Sequence, residues 1–265
     1  MSCRTALAFW SSMPGSGTRR SRWSAGLPAR IACIAILVAP AIAVSAQPIN
    51  RHPGWPGTTL SGVQCYGEGH GSRFEYISEH DKLAIVEKFH FYREIESLRM
   101  HDAKLDGDLD YTLRSIPNHH RALWARVRFY LRQIKDDQKR KELVKNEQMR
   151  EGNPPPECYF ERGEVFNPND GMVPAIFGIY LHKRDQFEAA LKAYNRAEAL
   201  IPNDPELAYN MGLLYLDMGN LEKAREYADK ASRLGYPLIG LRRKLSAAGS
   251  DPSASGASKA KSAVD

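Results

Sequence analysis

Long apolar runs are almost absent from this 265-residue sequence. The one exception is the stretch 31–44, which reads IACIAILVAPAIAV. A membrane-spanning helix needs about 20 apolar residues, and this run has 14 and contains Pro40. The sequence therefore excludes a polytopic membrane protein. Because 43% of the residues are hydrophobic and 26% are charged, the composition also excludes a wholly disordered or collagen-like chain.

The apolar run has the organisation of a secretory signal. Arginines precede it, and the small residues Val44-Ser45-Ala46 follow it. We expect cleavage after Ala46, which leaves a mature chain that begins at Gln47, is periplasmic or secreted, and is not inserted in a membrane. The alternative is a leader that stays attached as an anchor.

An excess of charge is also missing once this leader is set aside. Five of the 37 basic residues and none of the 31 acidic residues lie in 1–46, so the remainder carries 32 basic and 31 acidic residues. This balance gives no argument for a nucleic-acid partner, and none is expected. Residues 121–141 nevertheless hold eight basic and two acidic residues. They form either a solvated face with partners inside the chain or a patch for an acidic partner.

Cysteine is scarce. Two of the four cysteines lie in the predicted leader, so cleavage would leave only Cys65 and Cys158. Two cysteines in an exported chain favour one disulfide between them. Two unpaired thiols are the alternative.

The usual metal-binding and catalytic motifs are missing. Histidine is concentrated between residues 70 and 120, at His70, His80, His90, His101, His119 and His120. Most of these are about ten residues apart, and neither HExxH nor CxxC occurs. A GxSxG motif and a phosphate-binding glycine loop are absent too. We therefore expect no metal, no cofactor and no enzymatic activity. The alternative function is a metal- or redox-linked envelope protein that uses this histidine-rich region and Cys65 and Cys158.

A repeat with a period of 34 residues is the strongest positive signal. At this spacing Pro168 matches Pro202, Gly178 matches Gly212, Ala190 matches Ala224, and Ala197 matches Ala231. Glycine and alanine let two antiparallel helices approach closely, and proline ends the unit because it cannot continue a helix.

The pattern resembles the tetratricopeptide repeat family. The last unit carries Ala208, Met211-Gly212, Tyr215, Ala224, Ala228 and Ala231, and the unit before it carries Phe177-Gly178, Leu181, Ala190, Tyr194, Ala197 and Pro202. The resemblance covers about 80–248 and is most specific in 171–237. Runs such as 110–123 and 178–183 also look like small exported bacterial repeat proteins of unassigned function. The resemblance implies an all-α fold, a right-handed superhelix of antiparallel helix pairs, and a non-enzymatic scaffold of the cell envelope.

The repeat register divides the chain. We predict, in order, a cleavable signal peptide at 1–46, a Gly/Pro-rich irregular arm at 47–77, a helical domain at 78–248 and a disordered tail at 249–265. Within the helical domain, repeats are expected near 118–168, 171–204 and 205–238, with a capping helix at 239–248.

Upstream of residue 168 the pattern is weaker. Pro117 precedes Pro168 by 51 residues, 17 more than one period. We place the excess at 135–156, as either a continuation of the preceding helix or a solvated loop. Before it, the apolar spacing predicts a degenerate unit with helices over 81–101 and 105–116, and places Leu83, Val86 and Phe89 or His90 on one face.

The resemblance also implies a concave face, lined by the first helix of each pair, on which partners lie as extended or helical peptides. We expect partner contacts from Arg121, Trp124, Arg128, Arg132, Ile179, His182, Lys183, Tyr209, Asn210 and Leu213. Relatives that grip a C-terminal carboxylate use Lys and Asn at two positions of this helix. Here those positions hold Trp124, Ala175 and Tyr209, and Arg128, Ile179 and Leu213, so that clamp is absent.

The mixed aromatic, aliphatic and basic character of this face favours an amphipathic peptide with some acidic residues. Trp124 can instead belong to the core. The partner itself is an unidentified protein or peptide, and self-association is a further alternative.

Overall fold

The computed structural model describes residues 46–69 and 71–250, and all regular secondary structure in them is helical. Apart from Ala46, the predicted signal peptide lies outside these residues, as do His70 and the predicted tail beyond residue 250. The helices are α1 Ala84–His90, α2 Arg93–Glu96, α3 Asp102–Ser115, α4 His120–Gln133, α5 Asp137–Met149, α6 Pro156–Phe166, α7 Met172–Lys183, α8 Phe187–Leu200, α9 Pro205–Asp217, α10 Leu221–Arg233 and α11 Gly240–Ser250.

Helices that follow one another in sequence also pack on one another. Helix α7 contacts α8, α8 contacts α9, and α9 contacts α10 and α11. This succession is the helical solenoid that the 34-residue period predicts, and one apolar core runs from Phe91 through α3, α4, α6, α7 and α8 to Leu214. None of the helices in the described residues has both the length and the apolar character needed to cross a bilayer.

The repeated proline motif separates one unit from the next. Helix α8 ends before Ile201, and the Oδ1 atom of Asp204 accepts a hydrogen bond of 2.7 Å from the backbone N–H of Leu207. Pro205 is the first residue of α9, where the missing N–H costs no helical hydrogen bond. One short motif therefore ends one helix and caps the next.

Small residues set the distance between paired helices. A Cβ atom on Gly178 of α7 would collide with ring carbons of Tyr194 in α8. Ala190 and Ala197, which share the 34-residue period with positions in α10, are fully buried. Glycine and alanine thus occupy the close approaches that the repeat implies.

The excess at 135–156 is neither a continuation of the preceding helix nor a loop. It contains a separate helix, α5, which begins where Asp136 Oδ1 accepts a hydrogen bond of 2.9 Å from the N–H of Lys139. The helix ends at Met149, and the next residue, Arg150, has a left-handed backbone with a φ of 56°. Most of α5 is exposed because its sequence is almost entirely polar, and Glu147 is its one buried residue.

The first unit also differs from the expectation of one helix over 81–101. A 3₁₀ turn over His80–Lys82, α1 and α2 replace it, and the backbone is extended at Tyr92. Phe89 is 59% exposed, whereas Phe91 is 3% exposed. In a continuous helix, residues five apart point about 140° away from each other. The break therefore lets Val86 and Phe91 both face the interior.

The irregular arm is held by a buried arginine of α6. Arg162 is 0% exposed and donates hydrogen bonds to the carbonyl oxygens of Gly54, Gly71 and Arg114, the last two at 3.0 and 3.5 Å. Its guanidinium carbon lies 4.9 Å from the centroid of a Trp55 ring. Burial lowers the pKa of Arg162 to about 10, so the carbonyl oxygens offset a real cost of keeping this charge out of water.

Two further links attach the arm. Cys65 forms a disulfide with Cys158 of α6. The carboxylate of Glu75, 1% exposed, accepts hydrogen bonds from the amide nitrogens of Asn118 and Asn167. Burial acts to raise the pKa of Glu75, but hydrogen bonds from Ser78, Asn118 and Asn167 outweigh it and leave the pKa below its ordinary value. The asparagines that follow Pro117 and precede Pro168 thus bind the arm.

Gly178→Ala is expected to destabilise the protein by about 1–3 kcal/mol, because the added methyl group overpacks the contact with Tyr194. Urea denaturation of the chain 47–265 measures this. The matched control is Gly107→Ala in α3, where no atom lies within 4 Å of the added Cβ. There we expect stabilisation of up to about 1 kcal/mol from helix propensity. Equal effects of the two substitutions would contradict the close approach.

Arg162→Met is expected to cost about 2–4 kcal/mol, because three backbone carbonyl oxygens lose a charged donor. Thermal and urea unfolding provide the measurement. Arg196→Met in α8 removes an arginine that is 47% exposed and binds Glu164, so it should cost less than about 1 kcal/mol. If the two variants are equally stable, Arg162 does not hold the arm.

Candidate functional site

A groove of about 350 Å³ lies between α4, α7 and α9, the first helices of three successive units. Its floor is apolar and consists of Trp124, Met172, Ala175, Ile176, Ile179 and Leu207. Of the ten residues predicted to contact a partner, the structure brings four together here, namely Arg121, Trp124, Ile179 and Asn210.

Trp124 serves both the core and the groove, which the sequence left as alternatives. The side chain is partly buried and packs against the main core cluster. It also lines the groove, and the guanidinium carbon of Arg128 lies 6.0 Å from the centroid of one of its rings. The indole therefore contributes both to the core and to the lining of the groove.

The arginines of α4 are bound within the chain. Arg121 donates two hydrogen bonds to the carboxylate of Glu96, at 2.8 and 2.5 Å. This hydrogen bonding raises the pKa of Arg121. Arg128 donates to the backbone oxygen of Glu96 at 2.6 Å, and Arg132 donates to that of Leu98 at 3.1 Å. The basic side chains predicted for the concave face thus have partners in and after α2.

Two of the other predicted residues lie under the capping helix. Leu213 and Tyr209 are partly buried against a cluster that contains Ala224 and Leu241. The ring of Tyr209 lies 4.5 Å from that of Tyr236, between centroids. The turn before α11 and α11 itself therefore cover the part of the predicted concave face that contains Tyr209 and Leu213.

The last two predicted residues lie on α7, outside the groove. His182 Nε2 is 2.8 Å from Asp217 Oδ2. Lys183 is exposed. Neither side chain lines the cavity between α4, α7 and α9.

The beginning of α9 supplies acidic side chains to the groove. Asp204 and Glu206 both line it. Within the described residues, neither carboxylate forms an ion pair with Lys, Arg or His. Burial, and then the charge of Asp204, raise the pKa of Glu206. These two carboxylates thus give the groove negative charge that no Lys, Arg or His among the described residues pairs with.

A buried hydroxyl group also borders the groove. Tyr194 of α8 is 1% exposed and lines the cavity, and its hydroxyl oxygen has no hydrogen-bond partner among the described residues. Burial, and then the charge of Glu206, raise its pKa well above the ordinary value. An unpaired buried hydroxyl costs about 1–3 kcal/mol, which a ligand that pairs with it can recover.

Sequence reasoning missed several residues of the groove. Tyr194 was recognised as a repeat position but was interpreted as structural. For Glu206, Met172 and Leu207 the sequence offered no signal beyond their place in the first turns of α7 and α9. Their contribution depends on how three units stack.

Three histidines of the 70–120 region each lie against one carboxylate. His90 lies 3.0 Å from Asp108, His119 lies 2.9 Å from Glu87, and His120 lies 2.8 Å from Asp170, measured from ring nitrogen to oxygen. In the described part of the chain, no group of three or more His, Cys, Asp or Glu side chains could hold a metal ion.

A second cavity, of about 300 Å³, lies beneath α5. Four of its charged residues are already ion-paired, since Asp102 binds Lys139 and Asp106 binds the buried Arg126. These pairs connect α5 and α4 to α3, so their role is structural. We therefore take the groove between α4, α7 and α9 as the candidate site.

Comparison with known families agrees with this architecture. A family model described as TPR repeat matches residues 180–219, and one described as Tetratricopeptide repeat matches residues 205–234. No curated protein matches the chain. The matched residues run from the end of α7 through α10, the most regular part of the solenoid. The protein is a tetratricopeptide-repeat-like helical protein.

Proposed function

We propose that this chain is a non-enzymatic scaffold of the cell envelope that binds a protein or peptide partner in the groove between α4, α7 and α9. Tetratricopeptide repeats generally mediate protein–protein interaction and are typically not enzymes. The observation that carries the proposal is the groove itself, which combines an apolar floor with convergent polar side chains. Segments of partner proteins commonly bind to such surfaces.

Two features support the envelope location. The leader has the three parts of a secretory signal, ending in Val44-Ser45-Ala46. The structure also joins Cys65 to Cys158, and disulfides persist mainly in oxidising compartments.

The binding site is tested by placing a charge on the groove floor. Immobilised chain 47–265 is incubated with envelope extract of the source cell, and retained proteins are identified by mass spectrometry. We expect Ile179→Glu to lose the proteins that the wild type retains, because a carboxylate in the apolar floor opposes burial by a partner. Val165→Glu, on α6 at a side chain already 39% exposed, is the control and should retain them.

Thermal melts of both variants keep this test decisive. Were Ile179→Glu to melt like the wild type and still retain the same proteins, the groove would not be the site. Should it unfold, Asn210→Arg at the partly exposed border replaces it, with the same expected loss.

The location is tested on protein recovered from the source cell. N-terminal sequencing should begin at Gln47. A thiol-alkylating reagent should label neither Cys65 nor Cys158 before reduction and both after it. Recovery of a chain that still contains the 19–30 region would argue against cleavage after Ala46, and labelling without reductant would argue against an oxidising compartment.

A further inference from the structure

The charged side chains around the groove differ in whether they have a partner of opposite charge. Arg121 binds Glu96, and His120 lies 2.8 Å from Asp170, so both groups that can be cationic already have anionic partners. Asp204 and Glu206 have no such partner in the described residues. Consequently the charge that a partner meets in the groove is negative, although the nearby helix α4 is rich in arginine.

Acidic residues at the start of a helix have an ordinary structural use. Asp204 caps α9, and both carboxylates interact favourably with the helix dipole. In this role only Asp204 Oδ1 accepts a hydrogen bond, from the backbone N–H of Leu207. The carboxylate of Glu206 accepts no hydrogen bond from the described residues. The acidic pair by itself would therefore identify no ligand.

The hydroxyl of Tyr194 supplies an independent observation. It is buried, unpaired and borders the same cavity. A lysine ammonium group has three donors, and an arginine guanidinium has five. Either cation can donate to the hydroxyl oxygen and to carboxylate oxygens at once, whereas an incoming carboxylate could use the hydroxyl but would be repelled by the two acids.

The apolar floor determines what must accompany the cation. Met172, Ile176 and Leu207 line the same groove as Asp204 and Glu206. Aliphatic or aromatic side chains of a partner that cover this floor exclude water, and a charge pair strengthens as water is removed. The site thus suits a cation adjacent to apolar side chains.

We propose that the groove recognises a short segment of a partner protein in which a lysine or arginine lies next to aliphatic or aromatic residues. The cation binds Glu206, with Asp204 and the hydroxyl of Tyr194 beside it, and the apolar residues cover the floor that includes Ile176 and Leu207. This inference rests on the proposed function and names the chemistry of the partner. On the sequence alone we expect a partner peptide with some acidic residues because α4 is rich in arginine, whereas the partner segment proposed here is basic.

The test uses three fluorescein-labelled peptide pools and the chain 47–265. Each pool is a mixture of ten-residue peptides with leucine, isoleucine or phenylalanine on both sides of position 5. The pools differ only at that position, which is Lys, Gln or Glu. Fluorescence anisotropy at low salt should show the Lys pool binding about tenfold more tightly than the Gln pool, and the Glu pool most weakly. Added salt should reduce the difference between the pools.

Variants assign the effect to the groove. Glu206→Gln should lower the affinity for the Lys pool about five- to tenfold and leave the Gln pool unchanged. Tyr194→Phe should lower the affinity for the Lys pool a few-fold without loss of folding, because only the unpaired hydroxyl is removed. Glu222→Gln is the matched control, since Glu222 occupies the same position in the first turn of α10, outside the groove, and should have no effect.

Several results would overturn the proposal. Equal binding of the three pools, preference for Glu, or equal effects of Glu206→Gln and Glu222→Gln would do so. If envelope proteins are still retained in an Ile179-dependent manner, the proposed scaffold function survives that failure. If removal of residues 251–265, which include Lys259 and Lys261, strengthens binding of the Lys pool at least tenfold, the occupant is the chain's own tail, and a separate partner is excluded.

Discussion

The ring of Tyr194 packs on the bare backbone of α7 at Gly178, and both the repeat and the groove depend on this contact. A side chain at position 178 would push α8 away from α7 and open the core between them. The same close approach places Tyr194 at the border of the cavity, where its hydroxyl remains unpaired. Gly178 therefore determines both the pairing of α7 with α8 and the position of the Tyr194 hydroxyl at the border of the candidate site.

The charge of the groove depends on pairing between units more than on composition. The first unit is irregular, yet the segment around α2 binds three arginines of α4 through Glu96 and the backbone oxygen of Leu98. In the fold, carboxylates pair with Arg121 and Arg132, while Arg128 keeps its positive charge and donates to a backbone oxygen. In the part of the chain that the structure describes, the acids at the start of α9 have no comparable cationic neighbour, and Asp204 Oδ1 accepts a hydrogen bond from the backbone N–H of Leu207 in the same helix. The charge available to a partner is therefore that of the side chains without an ion-pair partner among the described residues.

The predictable part of this protein is the part that repeats. Small residues and prolines at a period of 34 correctly indicated α7 to α10, because close helix packing and helix termination are local properties. The break at Tyr92, the helix within 135–156 and the contacts of Arg162 were not foreseen. Arg162 reaches Gly54 and Gly71, 108 and 91 residues away, and no local pattern encodes such pairs. The free carboxylates of the groove escaped prediction for the same reason.

The ends of the solenoid limit what the groove can hold. Repeat units expose apolar faces unless something covers them. Leu241 of α11 packs at Gly212 and closes one end, while the first unit and the arm, fastened by Arg162, cover the other. Three first helices then remain to form a continuous surface. At about 10 Å between neighbouring helices they span roughly 20 Å, which an extended chain crosses in about six residues. A partner therefore contributes a short segment, in which one cation and two or three apolar side chains must supply most of the specificity.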